Sequence, residues 1–243
     1  MAKPGQEYIY GINPAFEVIR AGKRQVYEAY LNQAAARQSR IRKLSQYLEK
    51  TDIPIQWVDK RRLMNLSGSK DHQGVILKTK PYPYQPSDTL WGRPRLLLLD
   101  NMEDPHNVGA ILRSAEIFGF NAILLSGKGV PDIYPSVVKV SAGATEFLDI
   151  AKDASANSYV RTAQDEGYQV VVLDANGTVD IRTVCTQLSD KVLIVIGGED
   201  KSVGQLILNT ADLVVSIGQQ GRINSLNASV AAGIFLFALH AEP

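Results

Sequence analysis

Five apolar runs constrain this chain more than any other feature. RLLLLD at 95–100, NAILLS at 121–126, YQVVVLD at 168–174, KVLIVIGG at 191–198 and DLVVSIG at 212–218 are nearly unbroken stretches of Leu, Ile and Val, separated by segments of helical character. A strand with one wet face alternates apolar and polar residues. A strand apolar on both faces belongs in a parallel sheet covered by helices on each side. Residues 95–243 are therefore expected to form an α/β domain, and ligands of such sheets bind beyond the carboxyl ends of the strands. That rule directs attention to the residues after RLLLLD, KVLIVIGG and DLVVSIG.

After RLLLLD stands NMEDPHNVGAILRSAEIFGF. Asp104-Pro105 makes a turn, Asn107 can cap a helix, and Val108, Ile111, Leu112, Ala115 and Phe118 form its apolar stripe, with Gly119 at its end. Arg113 lies off that stripe, either as an ordinary surface residue or as a guanidinium reaching a phosphate or carboxylate near the strand end. After KVLIVIGG stands GGEDKSVG, in which Gly197 and Gly198 allow close approach of a ligand to the backbone beside the carboxylate of Glu199. The loop is not a phosphate-binding P-loop, because Asp200 precedes Lys201, and no strand continues into GxGxxG.

After DLVVSIG, the stretch IGQQGRINSLNASVAAGIFLFAL (217–239) leads from a Gly-punctuated loop into an apolar helix. Asn224 or Ser225 is the expected cap, with the helix beginning near Leu226. Ala228, Ala231, Ala232 and Gly233 are small, whereas Leu226, Val230, Ile234, Phe235 and Phe237 are large, so both faces are expected to be buried in a core or an interface. The free N–H groups beside Gly218 and Gly221 offer a place for an anionic or polar ligand group. An ordinary capped core helix is the alternative.

The first third of the chain differs in charge and in pattern. Residues 1–95 hold 17 Lys and Arg against 8 Asp and Glu, and the remainder holds 9 against 17, an asymmetry hidden by the net charge of +1. Such a split suggests phosphate contact by the basic part, although a solvated basic helix face has the same composition. YIYGINPAFEVIR reads as strand, turn and helix, with Asn13 as cap and Pro14 at the first helical position. VYEAYLN (26–32) and IQWVD (55–59) suit strands, residues 34–50 a basic helix carrying Arg37, Arg40, Arg42 and Lys43, residues 60–66 a short helix and residues 74–79 a strand. Between the last two lies LSGSKDHQG, a polar loop with Lys70 and His72. Four prolines among Tyr82, Tyr84 and Trp91 mark residues 80–94 as an extended linker between a domain at 1–79 and one at 95–243.

Composition excludes several classes. With 243 residues and 45% hydrophobic content the chain buries a sizeable core, yet no apolar run approaches the roughly 18 residues of a membrane span, and the N-terminus lacks the apolar segment of a signal peptide. The expected location is the cytoplasm. Cys185 is the lone cysteine, in an amphipathic pattern that favours a packed or half-buried thiol. His72, His106 and His240 have no metal-ligand spacing, so no metal site is expected.

LDNMEDPHNVGAILRSAEIFGF, VIGGEDKSVG and IGQQGRINSLNASVAAG, in this order and spacing, resemble the three motifs of the SpoU/TrmH branch of the SPOUT methyltransferases, which methylate RNA ribose 2'-hydroxyls with S-adenosylmethionine. YIYGINPAFEVIRAG and DHQGVIL are similar to the substrate-binding domain of members acting on a guanosine of large-subunit ribosomal RNA. The resemblance implies catalytic roles for Asn107, Arg113, Glu199, Ser225 and Asn227, and cofactor contacts at Gly197, Gly198, Ile217 and Leu226. It also implies a trefoil knot in the C-terminal segment and a homodimer with composite active sites. The third motif departs from the usual IPM and SLNVSV, with Gly218, Gln219 and Ala228 in place of Pro, Met and Val.

In-line attack on the sulfonium methyl group depends on alignment, and the resemblance casts Arg113 as the base that takes the hydroxyl proton. A free guanidinium holds its own proton far above neutral pH, so a purely phosphate-binding Arg113 stays open. Two other readings are a tRNA ribose methyltransferase of the same superfamily and a non-catalytic RNA-binding protein of ribosome assembly.

Overall fold

The computed structural model describes residues 5–198, 202–222 and 225–240. The chain divides into two compact units, residues 1–83 with 133–147, and residues 84–132 with 148–243. The first break falls within the proline-rich stretch. The grouping of 133–147 with the first unit has no counterpart in the linear reading, which leaves that segment in the second domain.

The first unit opens with β1 (Glu7–Tyr10), α1 (Ile12–Ala21), β2 (Val26–Asn32), α2 (Ser39–Lys50), β3 (Ile55–Val58), α3 (Lys60–Ser67) and β4 (Val75–Thr79). The sheet order is β1-β4-β2-β3, with β4 antiparallel to β1 and β2, and β2 parallel to β3. Side chains alternate between the faces: Tyr30 and Ile76 pack on Leu63 of α3, with Tyr8, Tyr10 and Val58 around them. Ile9, Leu31 and Leu77 are fully buried on the opposite face, as are Val18 of α1 and Ile41, Leu44 and Leu48 of α2. The helix at 34–50 begins later than its composition suggests, because Asn32 caps a short 3-10 turn at Gln33–Ala35 and the α-helix starts at Ser39. Helix α1 is capped by Gly11, not Asn13, whose side chain instead accepts a hydrogen bond from Arg40.

Segment Ile133–Phe147, with a short helix at Pro135–Val140, is held in this unit by a buried ion pair. Arg24 Nε donates to both carboxylate oxygens of Glu146 at 3.1 and 3.0 Å, and Nη1 donates to Glu7 at 2.8 Å. The side chains of Arg24 and Glu146 are wholly buried. The backbone at Gly143 comes so close to α1 that a Cβ there would stand 2.7 Å from Glu17 Cβ.

The second unit contains β5 (Arg95–Leu99), α4 (Pro105–Ile117) and β6 (Ala122–Leu125); the helix at Pro135–Val140, α5, follows in chain order. Then come β7 (Asp149–Ala151), α6 (Ala156–Asp165), β8 (Gln169–Leu173), β9 (Val179–Asp180), β10 (Val192–Ile196), α7 (Gln205–Thr210), β11 (Leu213–Ser216) and α8 (Ala228–His240). The seven strands pair in parallel, in the order β7-β6-β5-β10-β8-β11-β9. All five apolar runs are strands of this sheet. One face, with Leu96, Leu98, Val170, Val172, Leu193 and Val195, packs on Tyr159, Val160 and Ala163 of α6 and Ile207 of α7. Alternation sends Leu97, Leu99, Val171, Ile194 and Ile196 to the other face, and α4 and α8, which pack on each other, bury Val108, Ile111, Leu112, Ala232, Phe235 and Leu236. Half-buried Cys185 donates from Sγ to the Ala238 carbonyl at 3.1 Å.

Candidate active site

Strands β8, β10 and β11 lie on the same side of β5, and their carboxyl ends feed three loops around one cavity of about 230 Å³. Leu173, Asp174 and Asn176 come from the end of β8 and its loop, Ile196, Gly197, Gly198 and Ser202 from the loop after β10, and Ile217, Gln219, Ser225 and Leu226 from the loop after β11. Ala228 and Ala231 of α8 complete the wall. The lining is therefore apolar on several sides, with hydroxyl, amide and carboxylate groups on the others.

The glycines are required by close backbone packing. A Cβ on Gly197 would stand 2.4 Å from the amide nitrogen of Val203 and 2.7 Å from the carbonyl carbon of Ser202. The loop after β10 folds back on its own strand end, and a side chain would force it away. Asp174 clasps this loop to the one after β8: Ser202 Oγ donates to Oδ2 at 2.5 Å, while the backbone and side-chain nitrogens of Asn176 donate to Oδ1 at 2.8 and 3.2 Å. On the far side of the same loop, buried Asp100 is pushed above its ordinary value by desolvation, partly offset by hydrogen bonds from Ser126, Gly204 and Asn101.

Helix α8 starts at Ala228 and its cap is Asn227, two residues beyond Ser225. Oδ1 of Asn227 accepts from the backbone nitrogens of Ser229 and Val230 at 3.0 and 3.3 Å and from Ser229 Oγ at 2.6 Å. Ser225 and Leu226 precede the helix and face the cavity. The Nδ2 of Asn227 donates to Oδ1 of Asn107 at 3.0 Å, joining the loop after β11 to α4. Asn107 is buried within the first turn of α4 and does not cap it; Asp104 does, accepting from the His106 nitrogen at 2.8 Å, because Pro105 already occupies the first helical position.

The structure thus gathers Gly197, Gly198, Ile217, Ser225 and Leu226 on one cavity and ties Asn107 to Asn227 beside it. Arg113 stands apart, exposed on α4 and absent from the cavity wall. Glu199, Asn224 and Ile223 lie outside the described residues. Sequence reasoning missed Asp174, Asn176 and Ser202. The signal was present, since YQVVVLD ends in Asp-Ala-Asn-Gly, a turn at the carboxyl end of a buried strand.

Within this chain the last helix is buried on one face only. Val230, Ile234 and Phe237 are 50%, 40% and 59% exposed, and Leu226 and Ile117 extend the apolar surface. No group of three or more potential metal ligands occurs among the described residues, and none of their helices is long and apolar enough to cross a membrane.

A model of the SpoU rRNA Methylase family matches residues 94–237, and a model of RNA 2'-O ribose methyltransferase substrate binding matches residues 8–85. An uncharacterized tRNA/rRNA methyltransferase of Mycobacterium ulcerans (strain Agy99) is 33% identical over 236 residues, covering 95% of this chain and 75% of that protein. Two solved structures share the fold. The AdoMet-bound rRNA methyltransferase from Sinorhizobium meliloti superposes with a TM-score of 0.80 at 22% identity, covering 97% of this chain and 87% of that one. The SpoU methyltransferase AviRb from Streptomyces viridochromogenes, in complex with AdoMet, gives 0.79 at 23% identity, covering 97% and 89%. The chain belongs to the SpoU/TrmH family of RNA methyltransferases.

Proposed function

We propose that this protein methylates a ribose 2'-hydroxyl in RNA with S-adenosylmethionine, at a guanosine of large-subunit ribosomal RNA. The observation that carries the reading is the single cavity built from the loops after β8, β10 and β11, with Asn227 bonded to Asn107 at its side. The donor set fits the cofactor. Leu173, Ile196, Ile217, Leu226 and Ala231 suit an adenine and the methylene groups of a methionine chain, Gly197 and Gly198 present backbone groups, and Gln219 and Ser225 supply polar contacts. When bound, the cofactor supplies an electrophilic methyl group.

The chain's own part is positioning. Asn107 and Asn227 fix the start of α8 against α4, so that Ser225 and Leu226 are presented to the cavity from a rigid base. Glu199 belongs to the same loop as Gly197 and Gly198 and is assigned with them to the site. Arg113 grips the target phosphate as a guanidinium cation or, after losing its own proton to solvent, takes the hydroxyl proton. Because Arg113 is exposed and stands off the cavity of its own chain, it acts in the cavity of a second copy. The stripe of Val230, Ile234 and Phe237 on α8 supports that homodimer: it is an apolar helix face of the kind that association buries.

Large-subunit ribosomal RNA is favoured over tRNA by the resemblance of YIYGINPAFEVIRAG and DHQGVIL to the substrate-binding domain of members acting on that RNA, within the region that the substrate-binding family model matches. The test is transfer of labelled methyl from S-adenosylmethionine to RNA, followed by mapping of ribose methylation in ribosomal RNA from cells with and without the protein. A site lost with the protein supports the reading. Transfer to tRNA alone overturns the substrate, and cofactor binding without transfer to any RNA overturns the activity in favour of an RNA-binding assembly protein.

A further inference from the structure

In the first unit β1, β2 and β3 run in one direction and β4 runs against them, so three strand ends and the start of β4 share one edge of the sheet. Cations from three separate elements meet there. Helix α1 begins at Gly11 with no side-chain cap and no acidic residue in its first turn, and its Ile12 nitrogen donates to Gln73 Oε1 at 3.1 Å. Arg40, in the first turn of α2, donates to Asn13 of α1. Lys139 of α5 lies over Gly11, where a Cβ would stand 2.7 Å from its Nζ. Lys60 opens α3 and, with Asn32, Gln33 and Asp59, lines an open cavity of about 440 Å³.

His72 lies among these groups, close enough to Lys60 and Lys139 that both add to the burial that disfavours its protonation, with Asp71 opposing them. Its Nδ1 accepts from the Gly74 nitrogen at 2.9 Å, which places the proton on Nε2. That buried N–H has no hydrogen-bond partner among the described residues. Lys139 is partly desolvated and forms no ion pair among the described residues; Asp71 acts on it only through space. A partly desolvated Lys139 and an orphaned buried donor on His72 are costly in the free protein, and an incoming anion relieves that cost, with exposed Arg40 and Lys60 free to meet it. Trp57, near the end of β3, is 42% exposed and offers an aromatic face of the sort on which unpaired bases stack.

We propose that this sheet edge is where the first unit grips the phosphate backbone of the substrate RNA, with Arg40, Lys60 and Lys139 as phosphate ligands above the buried His72. The inference rests on the RNA-methyltransferase reading and deepens it. Lys139 is its sharpest element, because the residue comes from a segment flanked on both sides by the second unit's sequence. RNA engagement and the methyltransferase unit are thereby linked through the chain itself.

The test uses the full-length protein and in vitro transcribed large-subunit ribosomal RNA, with affinity measured by filter binding over a range of salt. The double variant Lys60→Ala/Lys139→Ala is compared with Lys50→Ala/Lys80→Ala, which removes the same charge at the opposite edge. Each phosphate contact contributes roughly 0.7–0.9 to the slope of log K against log salt. The first variant is expected to lose roughly 1.5 of slope and about tenfold or more in affinity, and the second to match the parent. Lys139→Met keeps the apolar stem and guards against a folding defect, and unchanged S-adenosylmethionine binding by calorimetry shows that the second unit is intact. Equal effects of the two doubles, or none from the first while the parent binds, overturn the inference alone. A parent without RNA affinity overturns the RNA reading as well.

Discussion

Asn227 has two structural duties, and they can be separated. Its Oδ1 caps α8, and its Nδ2 donates to Asn107. Asn227→Ala removes both: loss of the cap costs about 1 kcal/mol, and loss of the side-chain hydrogen bond about 1 kcal/mol more. At roughly 2–4 °C per kcal/mol for a chain of this size, the variant should melt about 4–8 °C below the parent. Asn227→Asp keeps the capping oxygen but removes the donor and sets a carboxylate against Asn107 Oδ1, so its loss should be about half as large. Thermal melts of Asn227→Ala, of Asn107→Ala and of the double variant, combined as a double-mutant cycle, should give a coupling of about 1 kcal/mol between the two asparagines. Single-turnover methyl transfer should fall as far in the Asp variant as in the Ala variant, since both lose the link to α4. An Asn227→Ala protein that melts within about 1 °C of the parent refutes the assignment of cap and link, on the magnitudes used here.

Gly197→Ala forces a Cβ against the backbone of Ser202 and Val203 and, at an overpacking cost of about 1–3 kcal/mol, should weaken S-adenosylmethionine binding by about tenfold in calorimetry; parent affinity would mean that the loop moves freely. Arg24→Ala leaves Glu146 charged and buried and should destabilise the first unit by about 3 kcal/mol or more in denaturant melts, whereas a loss below about 1 kcal/mol would show the pair to be wet. At Asp153, burial raises the carboxyl pKa, but hydrogen bonds from Ser87 and Tyr159 outweigh it and hold the group below its ordinary 3.8, so its stabilisation is present above that value and lost as pH falls through the folded value. The stability difference between parent and Asp153→Asn should therefore be full at neutral pH and close in acid; a gap that is independent of pH contradicts the assignment. Ile234→Asp with Phe237→Asp should convert the proposed dimer to monomer in sedimentation velocity without changing the fold by circular dichroism, and an unchanged dimer would place the interface elsewhere.

The sheet of the second unit was legible because both of its faces are covered, and a doubly buried strand writes itself as an unbroken apolar run. Strands β7 and β9, of three and two residues, are too short to write anything. Capping was harder to read. Several short polar residues precede α4 and α8, and which one caps depends on where the backbone turns helical: Asp104 precedes Pro105, so Asn107 is left inside the helix, while Ser225 and Leu226 stay outside α8 to line the cavity. The sequence reading of α8 allowed burial in a core or in an interface, and the chain alone buries only one face. Apolarity tells that a face is to be covered but not by which chain. Least legible was Ile133–Phe147, whose allegiance is set by Arg24 and Glu146, 122 residues apart. Each of the two is unremarkable in its local sequence, and only the fold makes them partners.

The polar groups at the candidate site are largely committed before any ligand arrives. Both oxygens of Asp174 are occupied by Asn176 and Ser202, and the Asn227 amide joins its own helix start to Asn107. What these bonds leave for recognition is backbone at Gly197 and Gly198, the walls of Leu173, Ile196, Ile217 and Leu226, and the side chains of Ser225 and Gln219. Such a cavity holds its ligand by shape and main-chain contacts, while its charged and amide side chains keep three loops in register. Gly218 and Gln219, where the third motif departs from its usual form, both lie in the loop, whereas the hydrogen bond that ties the end of that loop to α4 is carried by Asn227 and Asn107.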